Sequence, residues 1–330
     1  MKTTIFGVGA VGGHLAARLG AAGADVTAVC RGAQLAAIQE RGVTLHIKDE
    51  RYHARIPATD RPEMLGPQDL VIVTLKSSVL PALAASMATL AGPDTCFVFA
   101  MNGIPWWYPY RAETKAAPPD LSRLDPDGAL AREIGYERVV GCMINSPNEV
   151  IEPGVIRNIV MSSNKFTLGE PDGTMSRRVQ AIAAELEQCG LTAPITETIR
   201  VEIWDKLLRN LSTSPICALT GEPIGVIGRH PELFELSRGL MREGLAVAKA
   251  HGIDVEDHFT NSYGTRPTSL HKSSMLQDFE RDRPPEIDGL LTSVQAFARA
   301  VEVPTPTIDA VTALVIEKAR RMGLYPAAEW

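Results

Sequence analysis

Apolar positions in the first 196 residues follow two alternating spacings. Short apolar runs of strand length alternate with longer stretches in which apolar residues recur at helical spacing. Asp69–Leu75 (DLVIVTL) is nearly continuous and β-branched, which is typical of a strand buried on both faces of a parallel sheet. The pattern predicts strands at Thr3–Phe6, Asp25–Cys30, Val43–Lys48, Tyr52–Ile56, Asp69–Leu75, Cys96–Ala100, Val139–Ile144, Val155–Ile159, Lys165–Leu168 and Ala193–Thr196. It predicts helices at His14–Ala22, Ala33–Arg41, Leu80–Leu90 and Ser176–Cys189. Such alternation indicates right-handed β-α-β units and a doubly wound parallel sheet of the α/β class.

The pattern changes near Glu197, where strand signals end and long helical periods begin. Helices are predicted at Arg200–Leu211, Pro231–His251, Ser274–Arg281, Glu286–Val301 and Thr307–Met322. Pro215 is expected to end or kink the first of them, because proline lacks the N–H of the helical hydrogen bond. We therefore predict two domains, an α/β domain over residues 1–196 and an all-helical domain over residues 197–330.

A stretch of 23 residues interrupts the alternation between residues 104 and 126. It begins with Ile104-Pro105-Trp106-Trp107-Tyr108-Pro109-Tyr110 and continues as a polar, proline-containing run. A connection of this length without regular structure is usually a lid, a binding loop or disordered. The aromatic side chains either pack this insertion onto the protein or line a substrate site, and the sequence leaves both interpretations open.

Composition and charge exclude several classes of protein. The net charge of −6 argues against a nucleic-acid surface, which needs a basic excess. Five scattered cysteines without a C-x-x-C pair indicate reduced thiols, neither a disulfide framework nor a metal site. No apolar run reaches the roughly 18 residues of a membrane span. Because the glycine fingerprint starts so early, we expect no signal peptide. We expect a cytoplasmic protein without a metal ion, a membrane segment or a nucleic-acid partner.

A glycine fingerprint directly follows the first strand. The residues are Gly7-Val8-Gly9-Ala10-Val11-Gly12, and a helical pattern comes next. In such a G-x-G-x-x-G motif the first glycine permits a tight turn, the second lets backbone approach a pyrophosphate, and the third lets helix and strand pack closely. The helix N-terminus adds N–H donors and a partial positive charge. All six residues are therefore predicted to bind a dinucleotide in a Rossmann domain.

Three residues at strand ends extend this predicted site. An NAD site usually has a carboxylate at the end of the second strand, where this chain has Arg31. The guanidinium group suits a 2′-phosphate, so NADP(H) is favoured over NAD(H), unless Arg31 stacks on the adenine or points into solvent. Lys76 and Asn102 follow the next two buried strands at equivalent heights. They are predicted to contact cofactor or substrate, although a strand-end lysine can also be merely exposed.

The first predicted helix of the second domain carries polar residues on one face. Lys206, Asn210 and Ser214 are spaced at four-residue intervals. A lysine that is partly desolvated has a lowered pKa and can donate a proton to a carbonyl oxygen during its reduction. The spacing equally fits a lysine solvated on an amphipathic helix.

A second group of candidates lies further along the chain. Ser274 stands in the segment SSMLQD, and Glu286 follows Pro284-Pro285, a pair that can begin a helix with the glutamate in its first turn. Composition alone also fits plain helix capping by Ser273 or Ser274, with Glu286 as a favourable first-turn charge.

These motifs together resemble the ketopantoate reductase (2-dehydropantoate 2-reductase) family. The resemblance runs nearly end to end, from GVGAVG to Glu286. It implies a Rossmann domain followed by a helical domain of the 6-phosphogluconate-dehydrogenase type, NADPH as cofactor, and a role in pantothenate biosynthesis. It further implies that Lys206 is the general acid, that Glu286 orients the lysine and the substrate, that Asn210 contacts a substrate hydroxyl and that Ser274 contacts its carboxylate.

The chain departs from the family pattern on the substrate side. Ser214 replaces a frequent second asparagine, Gly289-Leu290-Leu291 replaces an asparagine-glycine after Asp288, and the insertion at 104–126 is long. The expected reaction is reduction of a 2-oxo acid by NADPH, with ketopantoate as first candidate, in a monomer or homodimer. Ser214 and Asn102 are expected substrate contacts. The alternatives are a reductase of a bulkier oxo acid, whose wall the aromatic residues would form, and a non-catalytic NADPH-binding regulator.

Overall fold

The computed structural model describes residues 1–112, 114, 116–159, 164–257 and 270–327 of the chain. These residues form two compact units. The N-terminal unit comprises Met1–Met101, Pro105–Ala112 and Asp125–Ile199. The helical unit comprises Asn102–Ile104, Glu113–Leu124 and Arg200–Trp330. The insertion at 104–126 is therefore divided between the two units.

A seven-stranded sheet forms the centre of the N-terminal unit. Its strands, from one edge to the other, are β11 (Lys165–Gly169), β8 (Val139–Asn145), β7 (Cys96–Ala100), β6 (Leu70–Val73), β1 (Thr3–Phe6), β2 (Val26–Val29) and β5 (Ala58–Thr59). All neighbours are parallel except β11 and β8. Phe6 pairs with Val29 on one side and with Val73 on the other, so the carboxyl ends of β1, β2 and β6 lie side by side. The predicted Rossmann-type sheet is confirmed.

A second, four-stranded sheet was not predicted. It contains β4 (Glu50–Ala54), β3 (Val43–Ile47), β10 (Val155–Asn158) and β9 (Asn148–Glu152) in that order. Three of these strands were predicted, but as parts of one alternating sheet, and β9 was missed. The predicted strand at Ala193–Thr196 is wrong, because Thr192 and Ile195 form only isolated bridges with β11.

Helix α1 (Ala10–Ala21) packs closely against the second sheet through its glycines. A Cβ atom at Gly13 would collide with the side chain of Ile156, and one at Gly20 would lie 2.6 Å from Ala54. The remaining helices of this unit are α2 (Gly32–Arg41), α3 (Leu80–Ala88), α4 (Ala129–Glu133) and α5 (Arg177–Gln188). Its core consists of the apolar strand residues and the inward faces of α1, α2 and α5.

The aromatic residues of the insertion belong to the core of the N-terminal unit. Trp106, Trp107 and Tyr108 are 3%, 1% and 4% exposed. The Trp106 ring meets Phe99 edge-on with centroids 5.5 Å apart. An added Cβ atom at Gly141 would lie 2.8 Å from the Trp107 ring, so the ring fills the space that glycine leaves. Rings buried to this extent favour the packing interpretation over a wall for substrate.

Among the described residues, the helical unit contains helices of 4 to 22 residues. They are α6 (Ile199–Thr220), α7 (Ile224–Ile227), α8 (Pro231–Ala250), α9 (Ser274–Glu280), α10 (Ser293–Ala300) and α11 (Pro306–Arg321), with a π-helical turn at Asp288–Thr292 before α10. Within the described residues, no helix has both the length and the apolar content that crossing a membrane requires.

Two expectations for these helices are wrong. Of the two effects expected of Pro215, an end or a kink, the end is wrong, because helix α6 continues to Thr220. Eight consecutive residues around the proline, 211–218, are buried, and this packing offsets the roughly 3 kcal/mol that an interior proline costs. Glu286 is not in the first helical turn, because the helical conformation begins at Ile287. The glutamate lies immediately before the helix, where the N–H of Ile287 donates to the carbonyl of Pro285 at 3.0 Å.

Candidate active site

The glycine loop of the N-terminal unit has the geometry that its sequence predicted. Gly7 has a φ of +97°, and its N–H donates to the carbonyl of Val29 at 2.9 Å. A Cβ atom at Gly12 would collide with the Gly7 carbonyl and with the Thr74 hydroxyl. Thr74, which the sequence did not single out, donates its hydroxyl to the Gly7 carbonyl. The loop is therefore held to both neighbouring strands.

The start of α1 fits the phosphates of a dinucleotide. Gly9 is the exposed N-cap residue of α1 and has no side-chain cap, and the first turn has no acidic residue. A Cβ atom at Gly9 would meet nothing within 4 Å, so backbone is open to a ligand there. Val8 is buried, whereas Ala10 and Val11 are half-buried at the start of the helix. N–H donors and the helix dipole at such an end favour an anion.

The other two predicted cofactor residues of this unit, Arg31 and Lys76, lie just beyond the carboxyl ends of two strands of the sheet. Arg31 is exposed and is the N-cap residue of α2, two residues after β2. Lys76 is half-buried and precedes a short 3-10 helix at Ser77–Val79, three residues after β6. Because β1 lies between β2 and β6, both side chains start beside the glycine loop.

The helical unit brings together two predicted residues that are far apart in sequence. The Asn102 side-chain amide donates to Oε2 of Glu286 at 3.1 Å, and Glu286 is only 8% exposed. The backbone holds this pair in place, because the N–H of Ile104 donates to the carbonyl of Gly289 at 2.8 Å. Gly103 has a φ of +76°, and a Cβ atom there would collide with that carbonyl. Only glycine permits this approach.

Helix α6 presents the predicted lysine face with graded burial. Lys206 and Asn210 are half-buried, and Ser214 is 3% exposed. Leu207 and Leu211 are completely buried, so the helix is anchored through its apolar residues. Half-burial leaves Lys206 and Asn210 partly accessible to a ligand.

Helix α9 begins beside α6 through Ser273. The Ser273 hydroxyl donates to the carbonyl of Ser214 at 3.4 Å and accepts from the N–H of Leu276 at 3.2 Å. Ser273 is thus the helix cap, which decides between the two serines that the sequence offered. Ser274 is the exposed first residue of α9.

Burial keeps two other titratable groups near this junction uncharged. It raises the pKa of the Cys217 thiol to about 11, which leaves no thiolate nucleophile at neutral pH. It also lowers the pKa of His271. In the described parts of the chain, no three His, Cys, Asp or Glu side chains are grouped as metal ligands would be. The groups available for chemistry are therefore an amine, hydroxyls, amides and a carboxylate.

Comparison with known proteins identifies the family. Residues 3–116 match the model of the family "Ketopantoate reductase PanE/ApbA", and residues 198–319 match the model of its C-terminal domain. A 2-dehydropantoate 2-reductase of Mesorhizobium japonicum is 42% identical over 327 residues, which cover 98% of this chain and 100% of that protein. The chain belongs to the ketopantoate reductase family. This family consists of oxidoreductases that depend on a nicotinamide cofactor.

Solved structures support the same assignment. A protein assigned as a ketopantoate reductase, from Ralstonia solanacearum, superimposes with a TM-score of 0.90 at 36% identity, covering 98% of this chain and 99% of that one. A D-mandelate dehydrogenase, solved with NADH and anilino(oxo)acetate, gives a TM-score of 0.82 at 20% identity over 98% of this chain and all of its own. The second likeness concerns the fold alone. The predicted family and fold class are confirmed.

Proposed function

We propose that this ketopantoate reductase family member reduces 2-dehydropantoate (ketopantoate) to pantoate with NADPH. The observation that carries the proposal is the 42% identity, over nearly the whole length, to a 2-dehydropantoate 2-reductase. The predicted lysine, asparagines, serine and glutamate are all present, and Glu286 is already paired with Asn102.

The cofactor is held by the N-terminal unit. Residues Gly7–Gly12 receive the pyrophosphate through backbone N–H groups, and Arg31 binds the 2′-phosphate that distinguishes NADP(H) from NAD(H). The exposed position of Arg31 after β2 supports this assignment, as does the lack of a carboxylate at residues 29–32. Lys76 is an additional contact of this unit, and Asn102, which belongs to the helical unit, is a further proposed contact. When bound, the reduced nicotinamide supplies a hydride to the C2 carbonyl carbon.

The helical unit supplies the proton and holds the acid. Lys206 donates a proton to the carbonyl oxygen, which becomes the hydroxyl of pantoate. Asn210 and Ser214 contact the substrate hydroxyl side, and Ser274 binds the carboxylate. Glu286 orients the lysine and the substrate, while the Asn102 amide fixes one of its oxygens. Half-burial of Lys206 and Asn210 on one face of α6 supports these roles.

The wider setting follows from the same proposal. We assign residues 1–196 to an NADP-binding domain and residues 197–330 to a substrate domain. The protein is proposed to act in the cytoplasm as a monomer or homodimer. A non-catalytic regulator is disfavoured because the relatives include named reductases and the chain has the lysine, serine and glutamate that the family resemblance assigns to the chemistry.

The reaction itself can be tested by following the hydrogen. The purified protein is incubated with ketopantoate and NADPH carrying deuterium at the transferred position of C4. Pantoate with one deuterium at C2 supports the proposal. Binding of NADPH without oxidation by ketopantoate or any other 2-oxo acid would favour the regulator instead.

A further inference from the structure

The residue two positions after Glu286 is the centre of a polar cluster. Oδ1 of Asp288 accepts from the Tyr325 hydroxyl at 2.7 Å and from the Thr292 hydroxyl at 2.8 Å. Nη1 of Arg123 lies 3.8 Å from the same oxygen and donates to the Tyr325 hydroxyl at 3.0 Å. We refer to Asp288, Tyr325 and Arg123 as the Asp288 cluster.

The cluster joins three remote segments of the helical unit. Arg123 comes from the insertion after β7, Asp288 begins the π-helical turn, and Tyr325 follows the last helix. Two of the three departures from the family pattern on the substrate side, the long insertion and the sequence after Asp288, therefore meet at one carboxylate. Both were independent features in the sequence.

The turn that follows Glu286 is held from two directions in the chain. Asp288 is held by Tyr325, and the next residue, Gly289, accepts from the N–H of Ile104 at 2.8 Å and from the Ser293 hydroxyl at 2.9 Å. π-Helical turns are rare and concentrate at functional sites. Glu286 directly precedes Ile287, the first helical residue before this turn, so the position of the turn determines where its carboxylate lies.

The contacts that Tyr325 and Arg123 make with Asp288 differ in strength. The Tyr325 hydroxyl is half-buried, and burial, with the bond to Asp288, raises its pKa well above the ordinary value. It therefore remains a hydrogen-bond donor throughout the neutral range. Arg123 is two-thirds exposed, and a solvated ion pair at 3.8 Å contributes little. Tyr325 is the principal support of Asp288 outside the turn itself.

We propose that Tyr325 is a positioning residue for the reduction: by holding Asp288 it fixes the turn that aims the Glu286 carboxylate at Asn102. The inference rests on the proposed role of Glu286. It assigns a function to the C-terminal segment after α11. The tyrosine acts through the glutamate and does not itself contact the substrate.

The test is a double-mutant cycle between Tyr325 and Glu286. Tyr325→Phe removes only the hydroxyl and should lower kcat with ketopantoate by about 10-fold, as for a hydrogen bond to a charged group, while the Kd for NADPH stays within about twofold. In the Glu286→Gln background the same substitution should lower kcat less than about twofold, because the group it positions is already impaired. A tyrosine with a merely structural role would give the same factor in both backgrounds.

Matched variants separate this effect from general damage. Tyr52→Phe removes another tyrosine–carboxylate bond, to Glu50 in the N-terminal unit, and should leave kcat unchanged. Asp288→Asn keeps an acceptor oxygen but loses its charge, so it should show the same coupling to Glu286→Gln with a smaller loss of about threefold. If Tyr325→Phe lowers the melting temperature markedly, the coupling between Asp288→Asn and Glu286→Gln tests the positioning role in its place.

The outcomes distinguish this inference from the proposed function. Equal losses in both backgrounds, or no loss from Tyr325→Phe while Glu286→Gln is strongly impaired, would overturn the inference and leave the proposed function intact. Full activity of Glu286→Gln itself would remove the role of the glutamate, and the inference with it. A loss from Tyr325→Phe that occurs when Glu286 is present and disappears in the Glu286→Gln background supports the positioning role.

Discussion

Asn102 and Glu286 lie 184 positions apart in sequence, and the amide nitrogen of one is 3.1 Å from a carboxylate oxygen of the other. Glu286 is 8% exposed, so this oxygen depends on protein donors to replace the water it has lost. Gly103 permits the contact because a side chain at that position would collide with the Gly289 carbonyl. The Asn102-Gly103 pair thus contacts the segment of the helical unit that carries the glutamate.

Removal of the Asn102 amide should impair catalysis more than stability. Asn102→Ala removes one hydrogen-bond donor from the buried Glu286 carboxylate. A hydrogen bond to a charged group contributes about 1.5–3 kcal/mol, so kcat/KM for ketopantoate should fall about 10- to 100-fold. The control is Gln295→Ala, which removes an exposed amide–carboxylate bond to Asp309 in the same unit. Equal kcat/KM values for the two variants would contradict a role for the Asn102–Glu286 contact.

Lys206 should be required for turnover but not for cofactor binding. General acid catalysis contributes about 10²- to 10⁴-fold, so Lys206→Ala should lower kcat by that factor while the Kd for NADPH is unchanged. Lys249→Ala removes an exposed lysine on α8 and should behave as the wild type. Near-normal turnover of Lys206→Ala in a steady-state assay would exclude the lysine as the acid.

Arg31 should determine the choice between NADPH and NADH. Loss of a guanidinium–phosphate interaction costs about 1.5–3 kcal/mol, so Arg31→Ala should lower kcat/KM for NADPH about 10- to 100-fold and change that for NADH little. Arg41→Ala, at the other end of α2, is the matched control. An equal loss with both cofactors would mean that Arg31 contacts a part of the cofactor that the two share.

His14 should make the folded protein less stable in mild acid. Burial is the main cause that lowers its pKa from 6.5 to about 4, although its hydrogen bond to Asn148 works in the other direction. Below pH 6.5 the His14 imidazole of the unfolded chain is protonated, whereas in the folded chain it stays neutral down to about pH 4. The contribution of His14 to the free energy of unfolding is therefore complete above pH 6.5. About 2 kcal/mol of it should be lost between about pH 7 and pH 5.

Urea unfolding at these two pH values measures the contribution. His14→Gln should reduce the difference between them, whereas the exposed His230→Gln should leave it as in the wild type. His271, whose pKa burial also lowers, should account for part of the remaining pH dependence. An unchanged difference in His14→Gln would show that His14 does not titrate in this way.

Local patterns predicted much of the fold because strand and helix leave a period in the sequence. Strands Thr3–Phe6 and Cys96–Ala100 have their predicted bounds, since both are continuous buried runs. The predicted end of the helix at Pro215 was wrong. Proline disfavours a helix interior, but burial of residues 211–218 outweighs this cost. Periodicity also could not separate the second sheet from the first, because strand pairing is a long-range property.

The same distinction between local and long-range features applies to the candidate site. The glycine loop is contiguous, so its chemistry was readable from the sequence alone. The bond between Asn102 and Glu286, and that between Asp288 and Tyr325, join residues from distant segments. Nothing in their spacing indicates the partner. The burial of Trp106 and Trp107 was equally hidden, because an aromatic run looks the same in a core and in a binding site.

The most direct test of the central claim is the specificity of the wild-type protein for its oxo acid. kcat/KM is measured by NADPH oxidation with ketopantoate and with a panel of 2-oxo acids that includes the bulkier, aromatic benzoylformate. The account predicts that ketopantoate has the highest kcat/KM, by at least about 10-fold, which corresponds to about 1.4 kcal/mol of preferential transition-state binding. A higher kcat/KM for benzoylformate or another panel member would contradict it.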